Sequence, residues 1–226
     1  RLFSWPGLAC SVINADDPFG QRLIDGVRGR GGRAMSYGAA NAEVRHLSNF
    51  TGVSAADRIR VEVTTSDAYR VEVLGAEADK VTTRVDDDTL VIRRTHRPFW
   101  GGTPPIDATV RVTMPAVDSL ASSRGAELRA TNVSAAHMSL AAAMGGELSV
   151  TGSCTDLDAA VSMGGSIRAE GLECRDGDIA ASMGGDARVF VSNRYDAAAS
   201  MGGSISVSGG GRSGDIATSM GGSVDG

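Results

Sequence analysis

Four aspartates recur at near-constant spacing, Asp158, Asp178, Asp196 and Asp215, and each lies five residues before a methionine. Carboxylates repeated in this way can do three kinds of chemistry. Where a turn enters a strand, Asp accepts backbone hydrogen bonds. Stacked one above another, carboxylates repel, and a bound cation such as calcium relieves the repulsion. Two carboxylates at a defined separation can hydrolyse a glycosidic bond. That third use also needs a pocket and a second, chemically distinct environment, and a uniform ladder offers neither. The residue types fit the turn role best. The cation role makes Asp158, Asp178, Asp196 and Asp215 a candidate metal ladder, with calcium the one cofactor to consider.

Cys154 and Cys174 each lie nine residues before a methionine. If the repeats stack, these cysteines meet on adjacent rungs, at a separation a disulfide tolerates. An oxidising compartment favours that bridge; two small buried hydrophobes are the equal alternative. Cys10 is left unpaired. His46, His96 and His137 are isolated, so spacing suggests no Ser-His-Asp or Cys-His set. Gly-Gly recurs without a following Lys-Ser or Lys-Thr, which excludes a phosphate loop. No enzyme motif is present, and the expectation is a chain without catalytic residues.

The elements that must position these residues come from a repeat. Met-Gly-Gly occurs at Met144, Met163, Met183, Met201 and Met220, at intervals of 19, 20, 18 and 19 residues. A degenerate copy stands at Arg124 and Gly125. Four residues before the methionine stand Leu140, Ala159, Ile179, Ala197 and Ile216; four after it stand Leu148, Ile167, Ala187, Ile205 and Val224. Even offsets share one face of an extended chain, and the odd offsets are mostly polar. Each repeat therefore reads as a strand, a Gly-Gly corner and a second strand with the same face inward. One repeat cannot bury that face alone, but stacked repeats can, which is the logic of a β-solenoid. Leucine-rich, helical and propeller repeats fail on residue pattern, length or mid-unit glycine. The methionines share the even phase and are expected to fill corners of a narrow core. A metal or redox role for that column is the minor alternative.

Upstream the pattern is also period two. Ile59, Val61 and Val63, Tyr69, Val71 and Val73, Leu90 and Ile92, and Val110, Val112 and Met114 mark half-buried strands. Arg97 to Pro105, with Trp100, reads as a loop. Val27 to Arg33 reads as linker, and Leu23, Ile24 and Val27 support one helical turn at most. Residues 1–45 are thus an irregular N-terminal segment and 46–226 the solenoid domain. Arg1 to Ile13 is mostly apolar and broken by Pro6, as in the remnant of an export signal. Gly7, Leu8, Ala9 and Cys10 loosely match a lipoprotein cleavage box, with the large apolar residue one place late.

Composition narrows the function classes. Glycine supplies 30 of 226 residues and aromatic residues only 4%, so small and aliphatic side chains must fill the core. A net charge of −5 argues against general nucleic-acid binding, which needs a basic face. No run of 18 apolar residues exists to form a complete transmembrane helix.

Several segments together resemble a known family. Phe50-Thr51-Gly52-Val53, then Ile59, Val61 and Val63, Val71 and Val73, Asp88-Thr89-Leu90-Val91-Ile92, and Val112, Met114 and Pro115 are similar to the bacterial head-GIN-domain family of adhesin-like proteins. Gly177-Asp178-Ile179 and Gly214-Asp215-Ile216 resemble the Gly-Asp-Ile turns of related adhesin domains. The resemblance spans roughly His46 to Gly226. The repeated Met-Gly-Gly departs from it, since serine and glycine are more usual there. It implies an all-β, single-stranded, right-handed parallel β-helix with rungs of about 18–20 residues. It further implies export to the periplasm, outer surface or medium of a bacterium, and no catalytic or binding residues. The expected role is a non-enzymatic surface for a glycan or protein. Self-assembly through the solenoid ends, and carbohydrate chemistry on the Asp ladder, are the alternatives.

Overall fold

The computed structural model describes residues 11–14, 34–37, 42–95 and 106–226. The candidate lipoprotein box, Cys10, the 27–33 linker, His96 and the Trp100 loop lie outside them. Within the stretch that reads as irregular, β1 (Ser11–Asn14) and β2 (Ala34–Tyr37) pair in parallel.

Alternating Val and Ile make the first large strands. β4 (Gly52–Ala55) and β5 (Arg60–Thr65) form two sides of one coil around a turn at Asp57 and Arg58, both at positive φ. β8 (Thr89–Arg94) and β9 (Thr109–Met114) lie parallel to β4 and β5 respectively. Antiparallel strands complete this end. β7 (Val81–Asp86) folds back on β8 through Asp87 and Asp88, and β6 (Arg70–Leu74) lies between β9 and β3 (Glu43–Arg45). The purely parallel coil expected from residue 46 therefore begins later, because hairpins with tight Asp turns favour antiparallel return.

From β10 (Ser119–Ser123) onward every pairing is parallel and advances one repeat. β11 (Glu127–Ala143), β12 (Glu147–Val161), β13 (Ser166–Ala181) and β14 (Asp186–Ala199) each wrap through most of a coil. β15 (Ser204–Ser208), β16 (Arg212–Thr218) and β17 (Ser223–Asp225) end the stack. This is a β-solenoid, as the repeat predicts. The strands bend where the inward–outward alternation slips, as at Ala136 and His137, which both face solvent.

The predicted inward columns are buried except at their last members, Ile216, which is exposed, and Val224, which is partly buried. Leu140, Ala159, Ile179 and Ala197 form one, and Leu148, Ile167, Ala187 and Ile205 another. A third, unforeseen inward column of Met138, Leu157, Gly177 and Tyr195 lies two residues before the first along the same strands. Its members differ too much in size for a pattern search to pick out.

The corner methionines are not core residues. Met144, Met163, Met183 and Met201 are each 46–47% exposed, and Met220 is 73% exposed. The turn explains the reversal. Met163 and Gly164 have φ of 49° and 69°, and the Gly165 amide donates to the Ser162 carbonyl at 2.9 Å. Two residues at positive φ inside such a hydrogen bond are a two-residue hairpin-type turn, which resets period-two alternation. The even offset from strand to methionine therefore carries no information about which way methionine points. Arg124 and Gly125 form the same turn in the degenerate copy.

Candidate functional site

The side of the coil that precedes each corner presents three outward columns. Nearest the methionine is a column mostly of serine, Ser123, Ala143, Ser162, Ser182, Ser200 and Ser219. Next is Ala121, Ala141, Ala160, Ala180, Ala198 and Ala217, paired strand to strand in register. Farthest is Ser119, Ser139, Asp158, Asp178, Asp196 and Asp215. Equivalent residues repeat about every 4.8 Å up the stack. Because the middle column is alanine throughout, the face dips between its polar borders. The Asp border and the alanines line an open trough of about 500 Å³. A contiguous hollow of about 400 Å³ runs between the alanines and the serines. Odd offsets were expected to be polar, and this one is apolar in every copy. Its signal was present in the sequence as an invariant alanine at a position facing out.

The aspartates stand as a ladder along that border, and two of their carboxylates have side-chain partners. Asp158 meets His137 Nε2 at 3.2 Å. Asp196 meets Arg194 at 3.2 Å and accepts the Asp215 amide at 2.6 Å. That last bond joins neighbouring rungs, strand to strand, and is not a local turn bond. The ladder places His137 beside Asp158 but leaves His46 exposed on a different part of the fold. Among the described residues, no three His, Cys, Asp or Glu side chains converge in a way that would hold a metal ion. The four aspartates share similar open surroundings, whereas acid and base roles require two contrasting ones.

Cys154 and Cys174 lie opposite each other on adjacent strands, with Cα atoms 4.5 Å apart, and are joined as a disulfide. The bridge staples two adjacent rungs, and neither cysteine lines the alanine trough. Cys174 is buried and Cys154 partly so. No helix among the described residues is long and apolar enough to cross a membrane.

This architecture has solved counterparts. A putative adhesin from Bacteroides fragilis superposes with a TM-score of 0.57 at 12% identity, covering 80% of this chain and 95% of that one. That likeness is one of fold. Two curated UDP-N-acetylmuramoyl-L-alanyl-D-glutamate–2,6-diaminopimelate ligases match short stretches. The enzyme from Chromobacterium violaceum is 44% identical over 48 residues, 21% of this chain. That from Ralstonia nicotianae is 45% identical over 60 residues, 24% of this chain. The chain spans only 10% and 12% of the lengths of those two relatives. The broad match is to the family described as "Putative auto-transporter adhesin, head GIN domain", over residues 49–211. Matched over most of its length, the chain belongs to that family.

Proposed function

We propose that this protein is a non-enzymatic component of the bacterial cell envelope or its exterior, and that the trough between the serine and aspartate columns is its binding face. The supporting observation is repetition. The same serine, alanine and aspartate groups recur in register on successive rungs, giving a long, shallow, polar-edged strip. Such a strip suits an extended ligand that itself repeats, a glycan chain or an extended protein segment. The disulfide supports export, since such bridges persist in oxidising compartments.

The test is a binding screen of purified protein against arrayed glycans and matrix proteins. A second protein carries Ala160→Arg, Ala180→Arg and Ala198→Arg. These alanines face solvent, so the arginines fill the trough without entering the core. Binding by the natural chain and its loss in the triple variant are expected. No binding to any array member, or binding that survives the arginines, overturns the assignment.

A further inference from the structure

The corner methionines are unexplained by packing and unexplained by turn chemistry. A turn with two residues at positive φ takes Asn, Asp or Gly at its first position. Here five successive corners hold methionine instead, at φ of 46–50°. An L-residue with a Cβ is disfavoured there by about 1–2 kcal/mol. Burying about half of the side chain at four corners returns about 1 kcal/mol, and less at the fifth, so packing alone does not select methionine there. Strain that packing offsets only in part, repeated at five corners, marks a position kept for what its side chain does.

The corners are also locked in register. The Gly145 amide donates to the Met163 carbonyl at 3.2 Å, and the same bond links Gly164 to Met183, Gly184 to Met201 and Gly202 to Met220. Five thioethers therefore rise from one edge of the coil at the rung spacing of about 4.8 Å. Their chain neighbours are serine or alanine on one side and Gly-Gly on the other, so sulfur is the only strong ligand type the corners themselves supply. Thioethers are soft donors and select soft cations such as Cu(I) over calcium or magnesium. A metal–sulfur bond is about 2.3 Å, so a linear S–metal–S unit spans about 4.6 Å. That nearly equals one rung.

The geometry points to a soft-metal site on this edge: adjacent pairs among Met144, Met163, Met183, Met201 and Met220 bind a monovalent d10 cation, Cu(I) or its analogue Ag(I), through their sulfurs. The ladder stands apart from the alanine trough, and the inference does not depend on the function proposed for it. Five methionines contain at most two separate adjacent pairs, so saturation is expected near two ions per chain.

The probe is Ag(I), which needs no reductant and so leaves the Cys154–Cys174 bridge intact. The full chain is labelled with ¹³C at the methionine methyls, with Cys10→Ser to remove the free thiol. Titration with silver nitrate in chloride-free buffer should move the five corner methyl signals and saturate near two equivalents. The methyls of Met114 and Met138, which are fully buried, should stay in place. A variant with Met→Leu at all five corners keeps the apolar ridge but not the sulfur, and should lose silver binding at least tenfold. Corner methyls that do not move, or a leucine variant that binds silver as tightly as the parent, overturns the assignment. The methyl titration decides the matter on the natural corners if the leucine variant does not fold.

Discussion

Gly164 and Gly165 are chain neighbours in one corner, yet replacing each with alanine should have very different effects. Gly164 sits at φ +69° with nothing within 4 Å of the place a Cβ would occupy. Its substitution costs only the left-handed backbone penalty, about 1 kcal/mol. Gly165 has no such φ, but a Cβ there would stand 2.6 Å from the Ala142 carbonyl oxygen, 2.7 Å from its carbon and 2.9 Å from the Ala143 nitrogen. All three are backbone atoms of the rung beneath, so no side-chain rotation relieves the contact. The rungs must separate locally. That strains two inter-rung bonds, Ser162 N–H to the Ala142 carbonyl at 3.0 Å and Ser166 N–H to the Gly146 carbonyl at 2.9 Å. Each is worth about 1 kcal/mol. With overpacking of about 1–3 kcal/mol, the loss for Gly165→Ala is about 3–5 kcal/mol. Urea unfolding followed by circular dichroism reads both variants against the parent, comparing midpoints at matched slopes. Gly165→Ala should lower the midpoint several times further than Gly164→Ala. Equal losses, or the reverse order, would refute the view that the second glycine exists for rung contact and the first for its backbone angle.

The disulfide joins cysteines 20 positions apart, so Cys154→Ser with Cys174→Ser should cost about 3 kcal/mol; thermal melts should show it, and a reductant should lower the parent's Tm but not the variant's. Ile167 is fully buried at mid-stack, and Ile167→Ala should cost about 2–5 kcal/mol, whereas Ile216→Ala, at a half-exposed site, should cost less than about 1 kcal/mol. A denaturation pair with equal losses would mean the last coil is covered in solution. Arg124→Met would restore the repeat's consensus yet should destabilise by about 2 kcal/mol or more, because Arg124 Nε lies 3.3 Å from the carboxylate of Asp57, which is only 3% exposed. A neutral or stabilising result in the same unfolding assay would show that this ion pair is dispensable.

The sequence determined the solenoid because its signal is local and repeated. Aliphatic residues at fixed even offsets within each strand, and Gly-Gly at a fixed step, leave few ways to bury one face. Offsets within a single strand, such as Leu140 to Ala142 or Ile167 to Ala169, report a shared direction faithfully, since the chain between the two residues stays extended. The same repetition placed Cys154 opposite Cys174 and stacked the aspartates along one border, because register follows from repeat length. The direction of a side chain inside a corner was decided only in three dimensions. The methionines share the phase of the core but stand in solvent, because two left-handed residues turn the chain without preserving its alternation. The break in the consensus at Arg124 likewise becomes intelligible only with Asp57, 67 residues earlier, lying over the same corner. The alanine trough belongs to both levels. Its residues repeat visibly along the chain, but only the stacking of strands makes a column of small side chains into a groove.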